Sequence, residues 1–389
     1  MENQTAEFLN EHCHCQILDQ NFLPQFLSPF PHFLSKNDRR VMANFIQSYH
    51  VLLQNENVKN AFISDSIKPS LEIGVFNSFD FHITADGPKL IEINSNAGGA
   101  LLALTADQNK ASCCETDANA QENELSENAI VDMFRSEFAR RFPARNLAHI
   151  ALVDENPEKQ FFYPEFVLFQ KIMQKNGIKV TICDPQDLSI EQNSVVAQKQ
   201  SVDFIYNRLT DFNFQTPHSA LLKQAYELGL ATVSPNPAVY ALYANKDNLT
   251  KIWDSAFMQN LMVDVGLLSE LQKIIPQSLR VNEDNSTLLW RDRKRWFFKP
   301  VSSFGGKGAY RGEKLTQKTW ERICQDDYLA QAYVPPATRK VDLDQVFKYD
   351  IRAFTYGAQI LGIVARYYQG QVTNFRTPQG GLASVTSSL

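Results

Sequence analysis

The sequence predicts a mixed fold that combines an α/β part with an α+β part, and three observations support this. Segments between 149 and 237 alternate strand patterns with helix patterns. From residue 295 onward, strand patterns with short connections dominate. A separate hairpin pattern occupies 73–93. The chain has 389 residues, which at roughly 150 residues per domain gives room for two or three domains.

Residues 1–145 are predicted to form an N-terminal helical region followed by two strands. The apolar spacing changes there from a helical period to alternation, and then to a polar stretch. The elements are a helix over 37–60 capped by Asn37 or Asp38, strands over 73–83 and 89–93 joined by the turn Ala85-Asp86-Gly87-Pro88, and a helix-prone stretch over about 104–142.

Residues 146–245 are predicted to form a parallel α/β domain, because strands and helices alternate through it. Its elements in chain order are strand 149–154, helix 164–176, strands 178–184 and 202–209, helix 218–229 and strand 230–237. Open parallel sheets bind ligands at the carboxyl ends of their strands. Asp154, Asp184 and Arg208 end three of these strands.

Residues 246–389 are predicted to form an α+β domain built on an antiparallel sheet with few helices. The strand patterns are 295–301, 328–334, 349–356 and 360–368.

The charge balance argues against a protein that coats nucleic acid. The chain has 38 Lys and Arg against 43 Asp and Glu, for a net charge of −5, whereas nucleic-acid affinity depends largely on neutralising phosphates. The basic run 291–295 precedes a strand pattern directly and is best interpreted as a solvated strand entry. We expect no nucleic-acid partner.

The sequence also predicts a location in a reducing cytoplasm. No apolar stretch approaches the ~20 residues that a membrane helix needs. The first ten residues carry two acids and no basic group, unlike a secretory signal. Six cysteines in so long a chain are too few for a disulfide framework.

A strand-borne lysine followed by a glycine-rich loop indicates phosphate binding. Lys299 lies in the pattern Phe-Phe-Lys-Pro, and the loop after it contains Gly305, Gly306 and Gly308. Glycines let backbone N–H groups approach phosphate oxygens closely, and the lysine adds a fixed positive charge. The spacing differs from that of a P-loop. An ordinary glycine-rich hairpin would give the same pattern.

Three oxygen-bearing side chains on the predicted hairpin indicate a Mg²⁺ site. Glu92 and Asn94 are two residues apart on one strand and therefore share a face. Asp80, on the preceding strand, can face the same point. Carboxylate and amide oxygens suit Mg²⁺, which often shares its shell with nucleotide phosphates. A solvated polar sheet face is the alternative.

Three arginines near the end of the chain indicate binding of carboxylate or phosphoryl oxygens. Arg352 and Arg366 lie on strand patterns that could be neighbours, and Arg376 precedes the pair Gly380-Gly381. Guanidinium groups bind such oxygens by paired hydrogen bonds and charge. Taken singly, each arginine would more commonly be a surface charge.

The cysteines offer a different metal site. His12-Cys13-His14-Cys15 and Cys113-Cys114 carry thiolate and imidazole groups that suit zinc or iron. The alternate spacing lacks the usual Cys-x-x-Cys geometry. Cys113 and Cys114 are better explained as residues of a helix that pack or face the site.

Several segments, taken in their order along the chain, resemble those of the ATP-grasp ligases, in which two subdomains clamp ATP. The Glu-Ile-Asn strand usually follows the Gly-Gly loop, whereas here it comes before the α/β unit. That order resembles the permuted arrangement of the eukaryotic-type glutathione synthetases. The matching segments are GVFNSFDF with KLIEINSNAGGALL, IYNR at 205–208, SPNPAVYALYANKDNLT, YLAQAYV, DIRAF and NFRTPQGGLASV.

The chain departs from that family's motifs at three positions. Ser78 stands where the family has an arginine two residues before the aspartate, Ser303 where the glycine loop has a glutamate, and Pro378 where a lysine follows Arg-Thr. Asp80 could supply the missing metal charge, and Arg352 or Arg366 the missing guanidinium. These differences put γ-glutamylcysteine as the substrate in doubt.

The resemblance implies an ATP site with Mg²⁺ and assigns roles residue by residue. Arg352, Arg366 and Arg376 would be catalytic, Asp80, Glu92 and Asn94 would hold the metal, and Arg208, Arg376, Gly380 and Gly381 would bind substrate. The ATP-binding set would be Lys246, Lys299, Ser303, Gly305, Gly306, Lys307, Gly308, Gln331, Ala332, Tyr333 and Val334. The loops over 302–308 and 374–386 would close over the site.

The activity implied is an ATP-dependent ligase that joins a small-molecule carboxylate to an amine through an acyl phosphate. Two alternatives stay open: a kinase that stops at phosphoryl transfer, and a degenerate nucleotide-binding protein without turnover. The resemblance also implies a homodimer.

Overall fold

The computed structural model describes residues 25–105, 125–302, 308–342, 345–371 and 373–388. Several predicted residues lie outside this part of the chain: Ser303, Gly305, Gly306 and Lys307 of the glycine loop, and the clusters His12-Cys13-His14-Cys15 and Cys113-Cys114.

Ten α-helices of six or more residues lie wholly within the described residues, and residues 100–105 are helical as well. The ten helices are α1 Lys36–Leu52, α2 Glu56–Phe62, α3 Glu127–Arg141, α4 Tyr163–Lys175, α5 Ala220–Leu228, α6 Asp247–Trp253, α7 Ser255–Asn260, α8 Val265–Ile274, α9 Glu283–Arg291 and α10 Gln317–Gln325. A short helical segment, Pro237–Val239, continues into a π-turn over Tyr240–Ala244. No helix among the described residues is long and apolar enough to cross a membrane.

Eighteen strands in the described residues form four sheets. They are β1 His32–Ser35, β2 Asn77–Thr84, β3 Gly87–Asn94, β4 His149–Val153, β5 Lys179–Cys183, β6 Leu188–Glu191, β7 Ser194–Ala197, β8 Gln200–Val202, β9 Phe204–Asn207, β10 Thr232–Ser234, β11 Ser278–Arg280, β12 Trp296–Pro300, β13 Tyr310–Arg311, β14 Tyr328–Ala332, β15 Ala337–Asp342, β16 Gln345–Tyr356, β17 Gln359–Tyr368 and β18 Gly381–Ser388.

The largest sheet joins the early hairpin to the last strands of the described chain. Its order is β1-β18-β17-β16-β2-β3, and β15 pairs with β16. Its pairs are antiparallel except for β1 with β18. The β2–β3 hairpin, predicted from sequence, therefore lies beside a strand from near the other end of the described chain, β16, as the pairing of Asp80 with Arg352 shows (|i−j| = 272).

The parallel α/β unit is confirmed. Its sheet order is β10-β9-β4-β5, with all pairs parallel. A small antiparallel sheet, β6-β7-β8, follows β5 and was absent from the sequence prediction. Its two-residue turns place Gln192, Asn193, Gln198 and Lys199 at positive φ. Such turns usually carry Asn-Gly or Asp-Gly, so this composition gave no hairpin signal.

The remaining sheet, β11-β14-β12-β13, carries Lys299 and packs against two helices. Phe298 is fully buried and lies edge-on to Trp320 of α10, with ring centroids 5.2 Å apart. Leu289 of α9 belongs to the same core cluster. The alternation in Phe297-Phe298-Lys299 therefore turns one side to this core and the other to the site.

Four details of the sequence prediction are corrected. The single helix predicted over 37–60 is two helices, α1 and α2, because the chain leaves the helix at Leu53 and a new one is capped by Asn55. The N-cap of α1 is Ser35, whose Oγ accepts from the Asp38 N–H at 3.0 Å. The strand expected from residue 73 begins at Asn77, because the N–H groups of Ile73 and Gly74 donate to Glu137. The second part of the predicted closing loop 374–386 is strand, since β18 begins at Gly381.

Candidate functional site

A cavity of about 550 Å³ opens where β2, β3, β12, β14, β16 and β17 meet the end of β9. Residues predicted from sequence to contact nucleotide, metal or substrate line much of it. Those that line it are Asp80, Glu92, Asn94, Arg208, Lys246, Lys299, Gln331, Ala332, Tyr333, Val334, Arg352 and Arg366.

Four described residues of the predicted site lie elsewhere. Arg376 is exposed and does not line the cavity, nor do Gly308, Gly380 and Gly381. Gly381 is buried at φ +98°, where an added Cβ would lie 2.3 Å from the Phe26 carbonyl oxygen. The role of this glycine in the structure is therefore close backbone packing. The binding and catalytic roles assigned to these four residues stay predictions.

The cavity carries an excess of positive charge. Eight basic side chains of the described chain line it, against four acidic ones. The acidic ones are Asp80, Glu92, Asp154 and Asp350, and the basic ones are Arg208, Lys246, Lys299, Arg311, Lys314, Lys348, Arg352 and Arg366. Since the whole protein has a net charge of −5, this concentration favours a polyanionic ligand.

Asp80 binds both predicted catalytic arginines of the sheet. Arg352 donates from Nε and Nη2 to its two carboxylate oxygens, each at 2.7 Å, and Arg366 Nη2 donates at 2.8 Å. Arg366 Nε also donates to Asp350 at 2.6 Å. Against the cost of burial, the two guanidinium groups lower the pKa of Asp80 to about 2. The carboxylate stays ionised at neutral pH.

Glu92 and Asn94 project to the same side of β3, as their spacing predicts. Asn94 Nδ2 donates to Asp80 at 3.2 Å and to Glu92 at 3.4 Å. The amide nitrogen of Asn94 therefore faces both carboxylates, and its acceptor atom is Oδ1. Asp80 itself is held by the two arginines. Among the described residues, no three His, Cys, Asp or Glu side chains form a metal-binding group.

Lys299 is buried beneath the cavity floor and held by two acceptors. Its Nζ donates to the Ile91 carbonyl and to Gln331 Oε1, both at 2.8 Å. Burial lowers its pKa to about 8, with Glu92 opposing the shift and Lys246 adding to it. Burial also lowers the pKa of Lys246. A pair of desolvated lysines is stabilised when an anion binds between them.

Several backbone groups of the segment 332–334 already form hydrogen bonds within the protein. Ala332 N–H donates to the Gln277 carbonyl at 2.7 Å, and Tyr333 N–H to the Arg295 carbonyl at 2.8 Å. His82 Nδ1 donates to the Val334 carbonyl at 2.9 Å. These hydrogen bonds hold the segment at the wall of the cavity.

Arg208 is the centre of the opposite end of the cavity. It follows β9 and is buried, and its Nη1 donates to Asn96 Oδ1 at 2.5 Å. Its Nε is buried without a partner among the described residues, and so is the Ser95 hydroxyl. Asp154 lines the same end, and burial raises its pKa to about 6 while Arg208 opposes that shift.

Several site residues were missed by the sequence analysis. Asp350 anchors Arg366, and it stands directly before the Ile-Arg pair that was noticed. Asn96 orients Arg208 and follows the noticed Glu-Ile-Asn strand by two residues. Phe161 and Phe162, which line the Arg208 end, form an aromatic pair ahead of a helix. In the sequence these two residues are an apolar pair in a segment predicted to connect a strand to a helix.

Comparison with known proteins gives matches among solved structures. No family model matches the chain, and no curated protein does. A glutathione synthetase-like effector from Globodera pallida, in its apo form, aligns with a TM-score of 0.58 at 10% identity, covering 99% of this chain and 96% of that one. A γ-glutamylcysteine synthetase-like protein from Methylobacillus flagellatus KT aligns with a TM-score of 0.50 at 11% identity, covering 91% and 89%.

The chain therefore has an ATP-grasp fold, and the more specific likeness is to glutathione synthetase-like proteins. At these identities the likeness establishes the fold alone. The permuted order inferred from sequence agrees with it, because β2 and β3 complete the sheet formed by β16, β17 and β18.

Proposed function

We propose that this protein is an ATP-dependent ligase that joins a small carboxylate to an amine and releases ADP and phosphate. The observation that carries the proposal is the cavity with eight basic and four acidic side chains, set in an ATP-grasp fold. A triphosphate bound beside a substrate carboxylate is the kind of ligand that such an excess of cations accommodates.

Lys299 and Lys246 are proposed to neutralise the ATP phosphates. The adenine would lie against the cavity-lining segment 332–334, with Gln331 fixed beside it through Lys299. Tyr333 adds an aromatic ring, over which Arg311 lies at 4.6 Å. This wall suits a flat, partly polar base.

The oxygens of Glu92 and Asn94 fit Mg²⁺, a hard cation that takes carboxylate and amide oxygens and completes its shell with phosphates and water. When bound, Mg²⁺ would supply charge neutralisation to the phosphates. The protein's own contribution at that point is to orient the Asn94 amide through its two hydrogen bonds.

Arg352 and Arg366 are proposed to stabilise the transferring phosphoryl group. A carboxylate oxygen of the substrate attacks the γ-phosphorus, ADP leaves, and an amine then displaces phosphate to form the amide. Two guanidinium groups fixed on one carboxylate are preorganised for the charge that develops on the phosphoryl oxygens. Because both are already oriented, little reorganisation is needed during the reaction.

The test is release of ADP and phosphate from ATP with Mg²⁺, across amino acids and dipeptides supplied singly and in pairs. The ligase requires both an acid and an amine and yields a new amide mass. Release that needs only one acceptor and gives a phosphorylated product would identify a kinase instead. Nucleotide binding without turnover in any pool would overturn the ligase and favour a binding protein.

The Lys299→Ala variant connects that activity to this cavity. We expect it to abolish ADP release, because it removes a buried charge from the proposed phosphate site. Lys223→Ala, on the exposed face of α5 and outside the cavity, is the matched control and should retain activity. Normal turnover by Lys299→Ala would contradict the site.

A further inference from the structure

We propose that the Arg208 end of the cavity binds an amino acid with an aromatic or large apolar side chain, free or at the end of a short peptide. The ligase reaction of this amino acid rests on the proposed function, whereas its binding can be tested separately. Four cavity-lining side chains, which we call the phenylalanine wall, carry the inference: Phe161, Phe162, Phe166 and Phe375.

The wall brings together segments that are far apart in the chain. The ring centroid of Phe375 lies 5.8 Å from that of Phe161 and 5.7 Å from that of Phe162. Phe161 and Phe162 are 5.3 Å apart, and the fully buried Phe26 backs Phe161 at 4.7 Å. Phe161 nonetheless remains 48% exposed. An exposed aromatic ring on a built aromatic cluster indicates a surface that a ligand covers.

The polar groups at this end fit the head of an amino acid. Arg208 is 8% exposed, and its Nε has no partner among the described residues. The buried Ser95 hydroxyl, also lining the cavity, has none either. A buried donor without a partner is costly unless a ligand satisfies it. A carboxylate bound to Arg208 would satisfy the guanidinium.

Asp154 supplies the complementary acid. It lines the same end, and among the described residues no ion pair within 4.0 Å joins it to Arg208. A guanidinium and a carboxylate that face one space without pairing can receive opposite charges of one ligand. We infer that the substrate carboxylate lies toward Arg208 and its ammonium toward Asp154.

The phenylalanine wall selects the side chain of that amino acid. Phenylalanine rings offer no hydrogen bond to a polar side chain, whereas an aromatic or branched apolar group gains both burial and ring contacts. The phenylalanine wall therefore favours a substrate with an apolar side chain over one with a polar side chain, such as glutamate.

The test is direct binding, measured by titration calorimetry in the presence and absence of a non-hydrolysable ATP analogue with Mg²⁺. The probes are phenylalanine, leucine, glycyl-phenylalanine and phenylalanyl-glycine, with serine, glutamate and glycyl-serine as polar counterparts. We expect the apolar probes to bind at least tenfold more tightly than the polar ones. A comparison of the affinity for free phenylalanine with the affinities for the two dipeptides shows whether the site binds a single amino acid or the end of a peptide.

Two variants locate the binding. Phe161→Ala with Phe375→Ala should weaken phenylalanine binding by about tenfold or more and leave binding of the ATP analogue unchanged. Phe33→Ala, which removes another exposed phenylalanine that lies outside the cavity, is the matched control and should bind as wild type.

The outcomes separate this inference from the proposed function. Equal affinity for apolar and polar probes, or an apolar preference that survives the double variant, would overturn the inference. So would binding of the ATP analogue with no binding of any apolar probe. Apolar binding without nucleotide binding would instead support the inference and contradict the ligase.

Discussion

Asp80 holds the two guanidinium groups of Arg352 and Arg366 in one place. We expect Asp80→Asn to lower the free energy of unfolding by about 3–5 kcal/mol, because it leaves two buried cations with one charged partner between them, Asp350. Denaturant unfolding at neutral pH measures this. Asp86→Asn, in the exposed turn of the same hairpin, is the control and should change stability little.

The pH dependence of stability gives a second prediction about Asp80. Its pKa is lowered to about 2 from an ordinary value of 3.8, so the unfolded chain takes up the proton first on acidification. The stabilisation from Asp80 is therefore present above about pH 4 and is lost as the pH falls toward 2. Wild type should lose more stability than Asp80→Asn across that interval. Parallel curves would show that Asp80 does not have a depressed pKa.

Lys299 predicts how nucleotide binding changes with pH. Its pKa is lowered to about 8, so raising the pH from 7 to 9 removes most of its charge in the free protein. Affinity for Mg–ADP should therefore fall over that range. Lys299→Arg keeps its charge, and we expect a shallower fall in that variant. Calorimetry at three pH values measures both, and identical slopes would contradict the role of Lys299.

At the scale of single residues, the sequence predicts the direction of a side chain better than it predicts which group that side chain binds. The spacing of Glu92 and Asn94 correctly predicts a shared face, and Arg352 and Arg366 do meet on neighbouring strands. The partner of Asp80 was not predictable from spacing, because it depends on the register of β2 against β16, with |i−j| of 272 at the contact. In the structure, two arginines bind the carboxylate that the sequence predicts to be a metal ligand, and its metal binding stays a prediction.

At the scale of secondary-structure elements, a substitution of Gly381 tests whether this residue, at the start of β18, has a structural role. An added Cβ would lie 2.3 Å from the Phe26 carbonyl oxygen, and φ is +98°. We expect Gly381→Ala to destabilise the protein by about 2 kcal/mol or more without weakening nucleotide binding in the folded fraction. Unfolding curves and calorimetry measure the two effects.

Gly177→Ala is the matched control for Gly381→Ala. This glycine also has positive φ, at +77°, but an added Cβ would meet nothing within 4 Å. Gly177→Ala should therefore lower the free energy of unfolding by only about 1 kcal/mol, the cost of holding alanine at positive φ. Equal losses in both variants would show that contact with Phe26 is unimportant.

Strands β4 and β9 of the α/β unit were predictable because each consists mainly of apolar residues in one short run. Strand β18 was not, since Leu-Ala-Ser-Val-Thr-Ser-Ser contains small and polar side chains with weak alternation. It forms because β17 and β1 pair with it on either side. A strand specified by its neighbours leaves little trace in its own sequence.

At the scale of the whole molecule, Glu137 ties together three parts of the chain. Its carboxylate accepts from the Ile73 and Gly74 N–H groups, from Ser234 at 2.6 Å and from Tyr356 at 3.1 Å. We expect Glu137→Gln to lower the free energy of unfolding by about 1–3 kcal/mol, since the amide nitrogen would face donors. Urea unfolding measures this. An unchanged midpoint would show that the four contacts are dispensable.

The overall architecture was predictable from the ordered motifs, including the early placement of the Glu-Ile-Asn strand. What the order could not show was the phenylalanine wall, because it combines residue 375 with 161 and 162, and the early Phe26 backs it. Contacts between segments so distant in sequence leave no local periodicity.

The strand order also has a consequence for synthesis on the ribosome. Strand β1 pairs with β18, and the β2–β3 hairpin pairs with β16, so the early strands wait with open edges while more than 250 residues are translated. Such edges favour pairing with other chains. The α/β unit between them has its own parallel sheet and can fold during that interval. A nascent chain can thus form strand β9, which leads to Arg208, before it contains the two arginines that Asp80 holds.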